Sequence, residues 1–216
     1  MGKSAQLVIV LSVIALVSGV SLGGLNALTF ETIQNNVLKY KKIPAVADIH
    51  EVAIAPLSDG ERLQLEADLL ADKRFLPQAE GEDILFFVLR EDGAPRGVAI
   101  EDFGPGFGGD LGVMTAFDVD SGGILGVGVT TMSETPGLGT ETRAPAWRKQ
   151  FTGMPADAKL QVTKDGGEVD AIAGATISSR AVAEAISKAR ETFRANQDAF
   201  VAAAGQAPAS SEGAGQ

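Results

Sequence analysis

Between Ala5 and Thr29 the chain carries no charged side chain. The run Leu7-Val8-Ile9-Val10-Leu11-Ser12-Val13-Ile14-Ala15-Leu16-Val17 is almost wholly apolar, and weaker hydrophobicity continues through Leu28. At a helical rise of about 1.5 Å per residue, roughly 20 residues cross a bilayer's hydrocarbon core. The stretch is long enough to span, so residues 1–29 are expected to form a transmembrane anchor. A cleavable signal peptide competes with that reading, because Lys3, Ser18 and Gly19 fit its pattern. The cleavage site is poor and the apolar stretch runs past it, which favours an uncleaved anchor. Basic residues orient the span only weakly. Lys3 precedes it and Lys39, Lys41 and Lys42 follow it, which by counting puts the C-terminal side in the cytoplasm. Large domains translocate largely regardless of such charges.

The remainder of the 216 residues suffices for one globular domain of ordinary size plus a short extra element. Cysteine is absent. Disulfides, thiolate ligands, iron–sulfur clusters held by the chain itself and cysteine nucleophiles are thereby excluded. One histidine, His50, is present. Alone it cannot build a zinc site of the usual kind, so a satisfied or solvent-facing imidazole is expected. The net charge of −10 repels nucleic acid and anionic headgroups and keeps a domain soluble. No nucleic-acid partner is expected.

After the anchor, Phe30 to Ile43 reads as a helical continuation with Ile33, Val37 and Leu38 on one face, ended by Pro44. Ser58-Asp59-Gly60-Glu61 has the spacing of a capping box, and Leu63, Leu65, Leu69 and Leu70 follow it. That predicts a second helix, ending near Phe75-Leu76-Pro77. Residues 30–80 thus form a helical connector packed on, or leading into, a domain at 81–202. Strand signals then take over. Ile84–Leu89, Gly97–Ile100, Leu111–Val119 and the return through Leu125, Val127, Val129 and Thr131 are separated by turns. In the third strand Leu111, Val113, Thr115, Phe117 and Val119 share one face. Leu160–Thr163 and Val169–Ile172 read as further short strands around Lys164-Asp165-Gly166-Gly167. A long helix runs from Ile177 to about Phe200, with Val182, Ile186, Ala189 and Phe193 on one face. The Ala-, Gly-, Ser- and Pro-rich tail, 203–216, is expected to be disordered. The fold class is α+β: a transmembrane helix, then an antiparallel meander sheet with flanking helices.

Two motifs carry the chemistry. Asp170-Ala171-Ile172-Ala173-Gly174-Ala175-Thr176-Ile177-Ser178-Ser179 puts a hydroxyl, Thr176, at a helix N-terminus. Such a terminus collects unpaired N–H groups and the positive end of the dipole, which suits a phosphate. Gly174 and Ala175 let a bulky group approach the backbone, and Ser178 and Ser179 can cap the helix or donate to phosphate oxygens. A capped surface helix with an idle threonine is the plain alternative. The second motif, Ser133-Glu134-Thr135-Pro136-Gly137-Leu138-Gly139-Thr140, follows a strand. Pro136 sets the turn, Gly137 and Gly139 permit unusual backbone angles, and Leu138 offers an apolar surface. The glycine-rich loop Phe103–Gly109 lacks the spacing of a dinucleotide fingerprint. Phe107 there could stack on a planar ring, although a core role is favoured. Trp147 and Phe151, at i, i+4 spacing, read as packing partners.

Together the two motifs resemble the FMN-binding domain found in the G subunit of Rnf-type electron-transport complexes and in the C subunit of sodium-translocating NADH:quinone reductases. The likeness runs roughly from Gly109 to Arg190. It implies that Thr176 is esterified to the phosphate of FMN, with Gly174, Ala175, Ser178, Ser179, Glu134, Thr135, Leu138, Gly139 and Thr140 around the cofactor. No residue need then be catalytic in the acid–base sense, because the flavin carries the chemistry. The resemblance further implies the other membrane subunits of such a complex as partners, with a flavin transferase for maturation. It also implies a single pass through the inner membrane with the soluble domain on the outer, periplasmic face. Ala173 departs from the Ser or Thr usual in the family. It precedes the acceptor, so it bears on how efficiently the site is modified. Two other readings stand beside this one: the equivalent quinone-reductase subunit, and a membrane-anchored anion-binding module without covalent flavin.

Overall fold

A computed structural model describes residues 2–53, 56–78 and 81–206. The chain divides between Tyr40 and Lys41 into two compact units. The first is dominated by helix α1 (Lys3–Val37). Its apolar window is long enough to cross a membrane, and none of that window is buried. A helix that is apolar all round and exposed along its length belongs in a bilayer rather than in a protein core.

Pro44 does not end the helical path. A π-helical turn, Leu38–Lys42, leads into α2 (Ile43–Ala53). Proline is excluded from helix interiors because it lacks an N–H and its ring strikes the carbonyl four residues back. Here it falls in the first turn of α2, just after a change of register, where its missing donor costs least. On α2, His50 is half-buried. Burial holds its imidazole below the ordinary value, and its Nδ1 is enclosed without a partner among the described residues. Helix α3 (Asp59–Ala71) starts at the expected capping box, the Ser58 N–H donating to Glu61 Oε2 at 2.9 Å. Arg62 ties α3 to α2 through Asp48 and Glu51, each at 2.8 Å. The helix stops earlier than expected, because Arg74–Leu76 pairs as strand β1 instead of continuing it.

The sheet is the expected antiparallel meander. Strands β2 (Ile84–Glu91), β3 (Ala94–Pro105), β4 (Asp110–Asp118) and β5 (Ile124–Thr131) lie side by side in chain order after β1. A single helical turn, α4 (Pro145–Arg148), comes after β5. Helix α5 (Thr176–Ala195) packs against β3 and β4, and α2 packs against β5 and β4. Both faces of β4 are therefore covered, and every residue from Leu111 to Asp118 is buried. The alternation read from the sequence for this strand does not leave a wet face. On β5 a Cβ at Gly128 would lie 2.7 Å from the Ala45 carbonyl oxygen, so only glycine admits α2 so close. Register shifts between β4 and β5 also interrupt the simple pattern on the return strand. Val127 is buried, whereas Leu125, Val129 and Thr131 are only partly so.

The core between the sheet and α5 is aromatic. Phe117 stacks on Phe193 at 5.0 Å, and Phe86 meets Phe200 edge-on at 5.1 Å. Trp147 packs edge-on against buried Phe151 at 5.3 Å, the packing role expected of that pair. Three further expectations are corrected. Residues 160–172 hold no pair of strands, only a parallel bridge between Val162 and Val169 around a 3₁₀ turn at Thr163–Asp165. Four residues after the bridge begins, Gly166 turns left-handed at φ +85°, too tight a return for a ladder to extend. The long C-terminal helix breaks at Asn196 into α5 and α6 (Gln197–Ala204). Carbonyls at and just beyond the end of α6 are held by one arginine of β1 and one of β2. Arg74 donates to Ala203 and Gln206, and Arg90 to Ala204 and Gln206. Ala203 and Ala204 are thus helical rather than tail, and residues 207–216 of the expected disordered segment lie outside the described residues.

Candidate functional site

The strand order brings three loop segments to one end of the sheet: the β3–β4 hairpin tip, the segment after β5, and the entry into α5. Between them lies an open cavity of about 300 Å³. Thr176 lines it, with Gly174, Ala175 and Ser178 from the helix entry and Glu134, Thr135, Leu138 and Gly139 from the other motif. Two motifs far apart in the chain therefore share one site. Phe107 and Ile177 line it too. Phe107 is not a core residue: it is 72% exposed. A cavity of about 370 Å³ lies elsewhere, between α2 and residues Pro145–Thr152, and holds none of the motif residues. The charged Arg148 and Asp48 on its wall face each other at 3.5 Å.

Thr176 stands at the first position of α5 and is half-buried. Gly174, at φ +78°, makes the left-handed turn that aims the chain into the helix. The first bond of the helical ladder runs from the Ser179 N–H to the Ala175 carbonyl at 3.0 Å. The N–H groups of Thr176, Ile177 and Ser178 are left outside that ladder, and no side chain caps the terminus. No hydrogen bond occupies the Thr176 hydroxyl among the described residues. A free hydroxyl beside unpaired donors on a cavity wall fits a phosphate group in place and in charge.

The serines act differently from their expected roles as caps or phosphate donors. Ser178, 2% exposed, donates its hydroxyl to Glu134 Oε2 at 2.7 Å. Ser179 is fully buried; it donates to the Ala175 carbonyl and accepts from the Ile172 N–H, both at 3.0 Å. Ser178 thus ties α5 to the opposite wall, whereas Ser179 is spent on fixing the loop that precedes Thr176 and does not line the cavity. Tertiary partners decide which way a hydroxyl points, and those were not visible in the local sequence.

Glu134 is the centre of the opposing wall. Its Oε1 accepts the N–H groups of Phe107 at 2.9 Å and Gly108 at 3.3 Å. A Cβ at Gly139 would strike Glu134 and Ser178, so glycine there lets the strand-end loop close onto the helix. The turn itself is internally bonded: the Thr135 carbonyl accepts from Leu138 at 3.2 Å, and the Gly137 N–H donates to the Thr140 hydroxyl at 2.9 Å. Thr140 therefore braces the turn from behind and does not line the cavity. Leu138 stands 42% exposed at the rim, facing Gly174 at 3.1 Å from the position a Cβ would take there. Ile177 was not singled out in the sequence; its apolar side chain beside the acceptor was the available signal. No cluster of metal-ligating side chains is present among the described residues.

The FMN-binding domain family matches residues 106–191, a stretch that holds all three walls of the cavity. The G subunit of the ion-translocating oxidoreductase complex of Methanosarcina acetivorans is 35% identical over 150 residues, covering 62% of this chain and 79% of that protein. The G subunit of the Na(+)-translocating ferredoxin:NAD(+) oxidoreductase complex of Acetobacterium woodii is 29% identical over 202 residues, covering 88% of this chain and 91% of that one. Among solved structures, the C subunit of the Na(+)-translocating NADH-quinone reductase of Parabacteroides distasonis shares the fold. Its TM-score is 0.52 at 22% identity, over 83% of this chain and 98% of that one.

Proposed function

The chain belongs to the family of G subunits of ion-translocating oxidoreductase complexes, and from that premise we propose that it carries FMN ester-linked through phosphate to Thr176 and passes electrons within an Rnf-type membrane complex. When bound, FMN supplies reversible electron uptake and release. The residues of this chain hold and place it. The N–H groups at the start of α5 face the phosphate, Gly174 and Ala175 let it approach the backbone, and Thr176 offers the oxygen. Thr135, Leu138 and Gly139 line the opposite wall. Attachment keeps the cofactor on a domain that is otherwise open to solvent. The name of the Acetobacterium woodii relative couples ferredoxin to NAD(+), and by that likeness the complex moves electrons between those carriers while translocating an ion. Family membership favours this over the equivalent subunit of a sodium-translocating quinone reductase, to which the likeness extends only in fold.

One observation carries the reading: the unoccupied hydrogen-bonding capacity of Thr176 beside three helix-terminal donors on a cavity wall. In a denaturing gel the chain, coexpressed with a flavin transferase, should fluoresce under ultraviolet light. The tryptic peptide containing Ala171 to Arg180 should be heavier than its sequence by FMN less one water. An unmodified peptide and a dark band would instead support an anion-binding module. Without the transferase, occupancy should be incomplete, and Ala173 is the residue to blame.

Helix α1 and the family both support membrane association. We place the soluble domain on the outer face of the inner membrane, beside the other subunits of the complex. Protease added to unlysed spheroplasts should then degrade the domain. Protection until lysis would reverse the orientation and leave the flavin assignment untouched.

A further inference from the structure

The tip of the β3–β4 hairpin is built to present a single side chain. Gly106 donates to the Gly109 carbonyl at 3.0 Å, which closes the loop. A Cβ at Gly106 would run into the Glu134 carboxylate, and one at Gly108 into the Ser133 carbonyl. Both neighbours of Phe107 are therefore positions where only glycine fits. The N–H groups of Phe107 and Gly108 end on Glu134 Oε1, and the other oxygen of that carboxylate is held by Ser178 on α5. Glu134 is only 9% exposed, so this anchor is shielded from competing water. The result is an aromatic ring fixed at its backbone and left uncovered at its side chain.

That ring faces an apolar surface. Phe107 is 72% exposed, Ile177 48% and Leu138 42%, and all three line the same cavity. Phe86, Phe117, Phe151, Phe193 and Phe200 are by contrast fully buried. A volume of about 300 Å³ lies at the lower end of small-molecule sites, so it accommodates part of a nucleotide rather than all of it. The acceptor hydroxyl lines the same cavity, and the apolar residues define where a flat, weakly polar group would lie.

We infer that Phe107 is the aromatic wall of the slot that takes the flavin ring, with Leu138 and Ile177 completing it, and that Glu134 is the positioning residue that holds Phe107 in place. The inference rests on the reading of this cavity as the FMN site. Aromatic rings gain from offset stacking or edge contact, and an apolar rim excludes water from the ring face. Glu134 acts only through the loop.

The test uses the full-length flavinylated protein in detergent and reads the quenching of flavin fluorescence by iodide, which reports access to the ring face. Phe107→Ala should raise iodide quenching by about twofold or more, as a covering ring is lost. Phe107→Trp should keep iodide access low and should darken the flavin itself, because an indole ring against an excited flavin donates an electron to it. Glu134→Ala should behave as Phe107→Ala does, because the hairpin tip loses its anchor. Glu134→Gln should restore the unaltered behaviour: its amide oxygen can take the two N–H groups while its amide nitrogen donates to Ser178. A Phe107→Ala protein that keeps its covalent flavin with unchanged iodide quenching would overturn the inference and leave the FMN assignment intact. A response to Phe107→Ala without one to Glu134→Ala would overturn the positioning role alone. Absence of flavin from the unaltered denatured chain would overturn the assignment and the inference together.

Discussion

Two buried carboxylates sit at opposite ends of the same pair of strands, and they are built almost alike. Asp118 closes β4. Its Oδ1 accepts the N–H groups of Asp120 at 3.1 Å and Ser121 at 2.8 Å, and the Ser121 hydroxyl at 2.9 Å. Glu134 follows β5 and likewise takes two N–H groups from a turn and a serine hydroxyl. The difference is a cation. Arg96 pairs with Asp118 Oδ2 at 2.7 Å, whereas among the described residues no Lys or Arg pairs with Glu134. At the Asp118 end the turn is finished, with charge, donors and packing all accounted for. At the Glu134 end the fixed charge is left to backbone donors beside the positive end of α5, next to an open cavity. A fully compensated carboxylate staples a turn. An uncompensated one of the same design marks the end of the sheet where the protein does something beyond folding.

The sharpest way to test that contrast is to remove one group at each end. Thr176→Val at the open end should abolish covalent flavin altogether while circular dichroism stays nearly unchanged, since a methyl replaces a hydroxyl that has no hydrogen-bond partner among the described residues. Global unfolding of this variant would make Thr176 structural and erase the distinction between the two ends. At the closed end the loss should be of stability. Asp118→Ala strands several donors and one arginine. It should cost about 2–3 kcal/mol, discounted because Arg96 is partly exposed. For a domain of this size that lowers the melting temperature by roughly 5–10 °C, with flavin content on the surviving fold unchanged.

A smaller effect follows from pH. Burial pushes the Asp118 carboxyl up, but the Ser121 N–H and hydroxyl, Arg96 and the Asp120 N–H outweigh it, and its value is held below the usual carboxylate range. A depressed folded-state value means that the stabilisation is present above the unfolded carboxylate value of about 3.9. It is lost as pH falls through the folded value. Denaturant melts of the unaltered protein should therefore weaken below about pH 4, and Asp118→Asn should flatten that acid limb. An unchanged limb would assign the acid sensitivity to other carboxylates.

The sequence revealed one end of the molecule better than the other. Glu134, Thr135, Leu138, Gly139, Gly174, Ala175, Thr176 and Ser178 were legible because two short contiguous motifs carry them, and all eight line one cavity. The meander and the capping box at Ser58 were legible for the same reason: alternation and capping are local signals. Phe107 was misread as core because burial is a property of the packed chain, and only the clashes awaiting a side chain at Gly106 and Gly108 show what the loop presents. The directions of the Ser178 and Ser179 hydroxyls are set by Glu134 and Ala175, partners that local sequence does not name. Strand β1 is three residues long, and the Val162–Val169 bridge is one pair, so neither carries a period to detect. Pro44 misled because a π turn shifts it from helix interior to helix start.

The arginine grip on the end of α6 has a consequence in time. Arg74 and Arg90 lie in the first two strands to leave the ribosome, yet the carbonyls they hold belong to residues 203–206, between 114 and 132 residues later. Phe86 waits likewise for Phe200. Contacts closed over so long a stretch of chain are slow to form and cannot complete on a partial polypeptide. Phe86 stays uncovered and the two arginines stay unengaged until synthesis has reached Gln206. The domain is therefore locked by contacts to residues 200–206, made long after its sheet has been synthesised.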